Sequence, residues 1–496
     1  AEGYTGRKGK GGFYRLEKQP DGRRVKQAID LATGEYRATA KPAPLPDAAM
    51  KDLAALVALE GKAGDFARAV LYPVLAYAAD LAGVIADDVV AIDAAMKLGY
   101  NWKWGPFELI DRLGPGKLAA ALAAAGQPVP AVMTMAGAQP FYRLVDGQQE
   151  FLGLDGAYHP LHRPDGVLLL EDVKRVSAPL LKNDSAALWD VGDGVAAFEF
   201  TTKMNALDEG VITLLGEAIA LVSAKMKALV IYNEAANFSA GANLGFVMFG
   251  IGMGAWGKIE ESIAGGQNAY KALKYAPFPV VAAPAGLALG GGCEICLHSS
   301  AVQAHAETYI GLVETGVGVI PGWGGCGEML DRFQKNPMMP RGPMPALMKS
   351  FELISTAQVA KSAANAQELG FLRASDGVTM NRDRLLADAK ARALAMVPGY
   401  KAPEPPTFRL PGEVARVGVA DALKSFHARG LATEYDMVVG SRLANVLSGG
   451  DTDVVDLLSE QDLLDLERAA FMECLRDERT QARIRHMLET GKPLRN

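Results

Sequence analysis

Two glycine-rich turns, each set between an apolar run and a helical pattern, constrain this chain more than any other feature. The first is Asn237-Phe238-Ser239-Ala240-Gly241-Ala242-Asn243-Leu244, after the apolar run Ala228-Leu229-Val230-Ile231-Tyr232. The second is Leu289-Gly290-Gly291-Gly292-Cys293-Glu294, after Pro279-Val280-Val281-Ala282-Ala283. A strand that feeds a helix through a glycine turn leaves backbone N–H groups free at the helix start, where the dipole also favours negative charge. Two such turns from neighbouring strands can aim two N–H donors at one oxygen, which makes an oxyanion hole. Strands alternating with helices imply crossover units and a layered α/β core. Glu294 closes the second turn and Glu314 follows it, so the pattern predicts a carbonyl-polarising site with two carboxylates beside it.

At 496 residues the chain exceeds one ordinary core and predicts about two to four domains. Its hydrophobic fraction of 49% and charged fraction of 22% are those of a soluble globular protein. A net charge of −6 argues against nucleic acid as the main partner. No apolar run reaches the roughly 18 residues that span a bilayer, and no secretory h-region opens the chain. Four cysteines in so long a chain are no disulfide framework and predict a reducing, cytoplasmic setting. Residue 1 is Ala, and residues 6–14 read like a loop entered mid-protein, which predicts a fragment or a processed product.

Residues 1 to about 45 are rich in Gly, Lys and Pro, with a short strand pair expected around Phe13-Tyr14-Arg15-Leu16. Their glycines do not make a dinucleotide fingerprint, because no strand precedes them and no helix pattern follows. Residues 47–125 have helical spacing, with Pro73 as an expected kink. Pro128, Pro130, Gly137 and Pro140 then break the helices, and Phe141-Tyr142-Arg143-Leu144-Val145 with Glu150-Phe151-Leu152 read as a hairpin around Asp146-Gly147. A second hairpin joins Leu188-Trp189-Asp190-Val191 to Val195-Ala196-Ala197-Phe198-Glu199-Phe200, and Asp208 caps a helix running to about Lys227. Residues 356–397 have helical spacing, residues 403–411 read as a Pro-rich linker, and residues 414–488 as further amphipathic helices. These divisions give domains 1–125, 126–183, 184–400 and 401–496.

Ser239-Ala240-Gly241-Ala242-Asn243-Leu244, Gly290-Gly291-Gly292-Cys293-Glu294 and the segment from Glu314 through Pro321-Gly322-Trp323-Gly324-Gly325 resemble three signatures of the enoyl-CoA hydratase/isomerase (crotonase) superfamily. They stand in the family order, and the resemblance extends over about 186–395, with Lys203-Met204-Asn205-Ala206-Leu207 before the first helix in keeping with it. Residues 87–100 followed by Gly105-Pro106-Phe107-Glu108-Leu109-Ile110-Asp111 resemble the C-terminal helical domain of the 3-hydroxyacyl-CoA dehydrogenases. Gly9-Lys10-Gly11-Gly12-Phe13-Tyr14 resembles that family's Gly-Lys-Gly-Phe-Tyr segment.

The resemblance implies a multidomain fold: an all-α dehydrogenase-type N-terminal domain, an α/β crotonase (ββα-superhelix) domain and an α-helical C-terminal region. It implies an oxyanion hole at the N–H groups of Ala242 and Gly291, binding the thioester carbonyl of an acyl-CoA. Glu294 would orient and deprotonate water, and Glu314 would protonate C2. Lys203, Ala240, Asn243 and Leu244 would contact CoA. The implied reaction is hydration of trans-2-enoyl-CoA in fatty-acid β-oxidation. The alternatives are a Δ3-Δ2-enoyl-CoA isomerase, which commonly keeps only the second glutamate, and a non-catalytic acyl-CoA-binding or assembly module. The resemblance also implies a homo-oligomer, with no cofactor in these residues: NAD belongs to a preceding Rossmann domain, and so does the dehydrogenase's catalytic His.

None of the six histidines (His159, His162, His298, His305, His427 and His486) sits at metal-ligand spacing or with a triad partner, so each reads as a surface or core residue and no metal is expected. Cys293 and Cys296 form a lone C-x-x-C and read as packing residues. Asn243 stands where the crotonase pattern usually has aspartate, and Leu312-Val313 replaces a more polar pair. The order of the two domains is also the reverse of the better-known fusions.

Overall fold

The computed structural model describes residues 3, 5, 6, 8–20, 22–40 and 43–496. Arg7, within the glycine-rich segment 6–14, lies outside the described residues. The chain forms two compact units, residues 1–145 with 149–161, and residues 146–148 with 162–496.

The first unit opens on an antiparallel sheet of β1 (Tyr14–Lys18), β2 (Arg24–Ile29) and β3 (Tyr36–Ala38). A second three-stranded sheet follows the helices, from β4 (Tyr142–Val145), β5 (Gln148–Leu152) and β6 (Tyr158–Pro160). The N-terminal region is therefore mixed α/β, which corrects the all-α expectation. The physical reason lies in β1, whose apolar residues Tyr14 and Leu16 face outward. Its inner face is polar instead: Arg15 Nε donates to Gln27 Oε1 at 2.7 Å, and Gln27 Nε2 donates to Glu17 Oε2 at 2.5 Å. The strand pair expected around Phe13-Tyr14-Arg15-Leu16 is present, but it adds no residue to the buried core, and the all-α expectation rested on the helical spacing of residues 47–125 alone.

The helices Lys62–Asp80, Val89–Tyr100, Pro106–Leu113 and Pro115–Ala124 pack around Leu75, Ile92, Phe107, Ile110 and Phe141. Pro73 lies inside the first of them, which runs on past it. The Gly105-Pro106-Phe107-Glu108 start is satisfied from outside its own helix. Buried Asp93 accepts from Phe107 N at 2.8 Å, Glu108 N at 3.1 Å and Tyr142 Oη at 2.9 Å. Glu108 reaches back to Gly105 N at 2.8 Å. Asp111 takes the N–H groups of Phe141 and Tyr142 at 2.6 and 2.8 Å. Asp93→Ala orphans three donors at about 1 kcal/mol or more each. It is expected to speed exchange of the Phe107 and Glu108 amides by about 100-fold, the equivalent of about 3 kcal/mol, read by hydrogen-exchange mass spectrometry.

The second unit is built on a seven-stranded sheet. In chain order its strands are β7 (Leu181–Lys182), β8 (Ala186–Asp190), β9 (Val195–Phe200), β10 (Ala228–Ile231), β11 (Val280–Ala282), β13 (Ala301–His305) and β15 (Gly377–Thr379). Their spatial order is β15-β13-β11-β10-β9-β8-β7. From β9 to β15 the neighbours are parallel, while β7, β8 and β9 run antiparallel. Strands β9, β10 and β11 are buried throughout, which explains the unbroken apolar sequence of β10 and β11; β9 carries one polar residue, Glu199, paired with Lys174 at 2.6 Å. Asp208 caps the helix Glu209–Lys225 by accepting from Val211 N.

Several strands lie outside the sequence reading, and β12 and β15 bear most on the site and its sheet. β12 (Gly286–Leu289) intervenes between β11 and the second glycine turn, and pairs in parallel with β14 (Thr308–Gly311). β15 lies inside the stretch read as helical, between Ala363–Glu368 and Leu385–Met396. Phe408 and Leu410, in the Pro-rich segment, are buried in the main core with residues of the Glu413–Ala428 and Glu434–Leu447 helices.

Among the described residues no helix is long and apolar enough to cross a membrane.

Candidate active site

Strand β12 brings the two glycine turns together. Ser239 N donates to Leu287 O at 2.9 Å and Leu289 N to Ser239 O at 3.0 Å, so the first turn is laced to the strand that enters the second. Ser239 is fully buried; its Oγ donates to Asn205 O at 2.8 Å and accepts from Gly241 N at 3.1 Å. Leu207 N donates to Gly241 O, and Asn243 N to Leu207 O. This pairing turns the Ala242 N–H to the other side. Asn243 Oδ1 then caps the Leu244–Gly252 helix by accepting from Gly245 N and Phe246 N.

Gly241 requires its lack of a side chain: its φ is +91°, and a Cβ would lie 2.9 Å from Leu289 O. Gly291 needs it for a different reason, since a Cβ there would lie 2.7 Å from Trp323 Cζ3. Gly291 opens the helix Gly291–His298, and Tyr270 Oη donates to its carbonyl at 2.9 Å. Among the described residues neither Ala242 N nor Gly291 N is donated to a protein acceptor. Both residues line one cavity of about 420 Å³.

That cavity also holds Ala240, Asn243, Leu244, Glu294, Glu314 and Trp323, with Phe471, Met487 and Pro493 from the C-terminal helical region. Of the sequence-predicted residues, only Lys203 stands apart: it is exposed and does not line the cavity. His298 is buried behind the site, its Nδ1 2.8 Å from the Glu294 carbonyl oxygen, and burial lowers its pKa. Cys293, Cys296, Cys326 and Cys474 are all buried and free. Among the described residues no group of three or more His, Cys, Asp or Glu could hold a metal ion.

The two glutamates sit in unlike surroundings. Glu294 is buried, and its Oε1 accepts from Trp323 N and Gly325 N, both at 2.9 Å. Burial raises its pKa while these two donors pull it back. Glu314 opens the 3₁₀ turn Glu314–Val317; its Oε2 is sealed from solvent and has no hydrogen-bond partner. Burial and then the charge of Glu294 push its pKa well above the carboxylate range. Two neighbouring buried carboxyls thus hold protons with unequal strength.

Sequence reasoning missed the support from the far end of the chain. Thr480 Oγ1 donates to Gly318 O at 2.6 Å, and Arg483 Nη1 lies 3.4 Å from Thr315 O and 2.7 Å from Asp436 Oδ1. The Glu478–Thr490 helix therefore straps the turn that carries Glu314. Glu467, fully buried in the Glu460–Arg476 helix, accepts from Gly324 N at 2.9 Å. One signal was legible: Leu463, Leu464, Glu467, Ala470 and Phe471 lie at three- and four-residue spacing, which puts a carboxylate on an apolar stripe.

Residues 191–333 match the family model Enoyl-CoA hydratase/isomerase, and residues 64–142 match 3-hydroxyacyl-CoA dehydrogenase, C-terminal domain. A Bacillus subtilis (strain 168) protein named "Probable 3-hydroxyacyl-CoA dehydrogenase" is 34% identical over 507 residues, covering 100% of this chain and 63% of that protein. A Rickettsia felis protein, provisionally named a fatty acid oxidation complex trifunctional enzyme, is 31% identical over 490 residues, covering 98% of this chain and 61% of its own. The chain thus spans under two thirds of the length of either relative. Among solved structures, a carnitinyl-CoA dehydratase from Mycobacterium thermoresistibile is 17% identical over 62% of this chain and 91% of that one, with a TM-score of 0.47. The chain belongs to the enoyl-CoA hydratase/isomerase (crotonase) superfamily, with that domain fused to a 3-hydroxyacyl-CoA dehydrogenase C-terminal-type domain.

Proposed function

We propose that this chain hydrates trans-2-enoyl-CoA to 3-hydroxyacyl-CoA. The observation that carries the reading is a pair of buried carboxyls, Glu294 with two backbone donors and Glu314 with an unpartnered oxygen, lining one cavity with the N–H groups of Ala242 and Gly291. The thioester oxygen accepts from Ala242 N and Gly291 N, so negative charge that develops there is stabilised and C3 becomes electrophilic. Glu294, whose charged form is supported by Trp323 N and Gly325 N, accepts a proton from water as the oxygen bonds to C3. Glu314, kept protonated by burial and by Glu294, delivers a proton to C2. Water is thereby added across C2=C3, and a proton returning from Glu294 to Glu314 resets the pair.

Ala240, Asn243 and Leu244, at the first turn, are proposed to contact CoA, with exposed Lys203 meeting its phosphates outside the cavity. The hydratase domain is taken as 184–400, with 1–125 as the dehydrogenase-type domain, 126–183 as the connector and 401–496 as the C-terminal region. The relatives' names favour a place in fatty-acid β-oxidation, beside a dehydrogenase step. A homo-oligomer is expected, and gel filtration checks it.

The pH dependence follows from the two shifts. Catalysis needs Glu294 ionised and Glu314 protonated. kcat/KM for crotonyl-CoA is therefore expected to rise as Glu294, pushed up to about 7 by burial, loses its proton. It falls again at higher pH as Glu314 ionises. A profile flat from about pH 5 to 9 contradicts these roles. Faster turnover of 3-enoyl-CoA than hydration of 2-enoyl-CoA would replace the hydratase reading with the isomerase one.

A further inference from the structure

The turn Gly322-Trp323-Gly324-Gly325 presents three successive N–H groups to two different carboxyls. Trp323 N and Gly325 N donate to Glu294, while the group between them, Gly324 N, donates to Glu467. Glu294 and Glu467 hold one turn from opposite sides. The same turn is tied to the C-terminal helix a second time: Gln267 Nε2 donates to Gly322 O at 3.0 Å and to Leu464 O at 2.9 Å. Arg468 Nη1 donates to Gln267 Oε1 at 2.9 Å.

Resting on the reading of Glu294 as the base, we propose that Glu467 is a positioning residue of the active site, fixing through Gly324 N–H the turn whose flanking N–H groups support the Glu294 carboxylate. The C-terminal helix is then a working part of the hydratase. Three consecutive peptide groups cannot reorient singly, so freeing Gly324 N also loosens the two donors beside it. A buried N–H left unpaired is costly enough to drive such a rearrangement.

The charged and titratable groups around Glu467 come from several elements. Glu294, Glu314 and Cys326 face it on the site side. On the other side His298, Glu328 and Glu460 share with it a small closed space, and Lys274 pairs with Glu328 and Glu460 at 2.5 and 2.7 Å. That lysine is already doubly paired, and among the described residues Glu467 makes no ion pair. Burial and the neighbouring Glu294 charge raise its pKa well above the carboxylate range. Glu467 thus acts as a neutral acid whose carbonyl oxygen accepts from Gly324 N.

The test is steady-state hydration of crotonyl-CoA against pH by the full chain and three variants. Glu467→Gln keeps an acceptor oxygen and is expected to lose less than about threefold in kcat, with the acid limb in place. Glu467→Leu removes the acceptor, and Glu467→Asp withdraws it by one methylene. Both are expected to lose about tenfold in kcat with KM within about twofold. Both should also move the acid limb of kcat/KM to higher pH by about one unit, because Glu294 loses donors that favour its charged form. A purely structural role would lower the folded fraction and leave that limb unmoved. The proposal is overturned if Glu467→Asp, or a folded Glu467→Leu, keeps the wild-type limb, or if Glu467→Gln falls as far as either. Glu294→Gln run in parallel separates the two claims: unimpaired hydration there removes the base reading itself.

Discussion

Glu314→Gln is expected to lower kcat for crotonyl-CoA hydration by about 10³-fold, with KM within about twofold. A positioned proton donor typically contributes 10²–10⁴-fold. Glutamine has the same shape but no acidic proton to give C2, so binding survives and chemistry does not. Stability should move the other way. In the folded protein burial raises the Glu314 pKa, so the folded state holds a proton that the unfolded state releases from about pH 4.3 upward. Stability is then lost as pH climbs through that window. Glutamine has no proton to lose, and Oε2 has no partner to forfeit. The variant should therefore match or exceed wild-type Tm at about pH 8, the gain closing toward about pH 4. Calorimetry at the two pH values checks this. A large drop in Tm would mean Glu314 is a structural residue, and wild-type kcat would remove it from the mechanism.

Gly241→Ala carries the second large effect. The backbone there has φ +91°, and the new Cβ would meet Leu289 O at 2.9 Å, a backbone atom that cannot rotate aside. The turn must shift, and the first group to move is the next N–H, that of Ala242. Loss of one oxyanion donor costs about 10²–10³ in kcat, or roughly 3 kcal/mol. kcat/KM should fall by that factor while far-UV circular dichroism stays unchanged. Activity within about threefold of wild type would place the hole elsewhere.

The parts of this protein that were legible in its sequence are those where one local pattern carries the whole signal. Asp208 with its helix, the apolar runs of β10 and β11, and the hairpin of β8 and β9 all fall where alternation and capping place them. The two turns identified the crotonase domain because a backbone donor site needs small residues at fixed positions. The all-α expectation failed because it weighed the helical spacing of residues 47–125 above the strand pair read at residues 13–16, where β1 leaves Tyr14 and Leu16 exposed and Arg15 and Glu17 half-buried. β12 escaped because four residues, one of them glycine, carry too little periodicity to stand apart from the turn they enter. The protonation of the pair was illegible for a different reason. Glu294 and Glu314 are told apart by the N–H groups of Trp323 and Gly325, and the sequence could not say which carboxyl those groups reach. The C-terminal helices looked separable because nothing local joins Glu467 to a turn at Gly324, 143 residues away.

The central claim is that water adds to C3 while a proton from the enzyme adds to C2. Incubation of the chain with crotonyl-CoA in ¹⁸O-labelled water, and separately in D₂O, followed by mass spectrometry of the thioester, reads both events. The account predicts a 3-hydroxyacyl-CoA with ¹⁸O at C3 and one solvent deuterium at C2, the signal absent in Glu314→Gln on the same timescale. Deuterium exchange into the thioester with no ¹⁸O at C3 would contradict it.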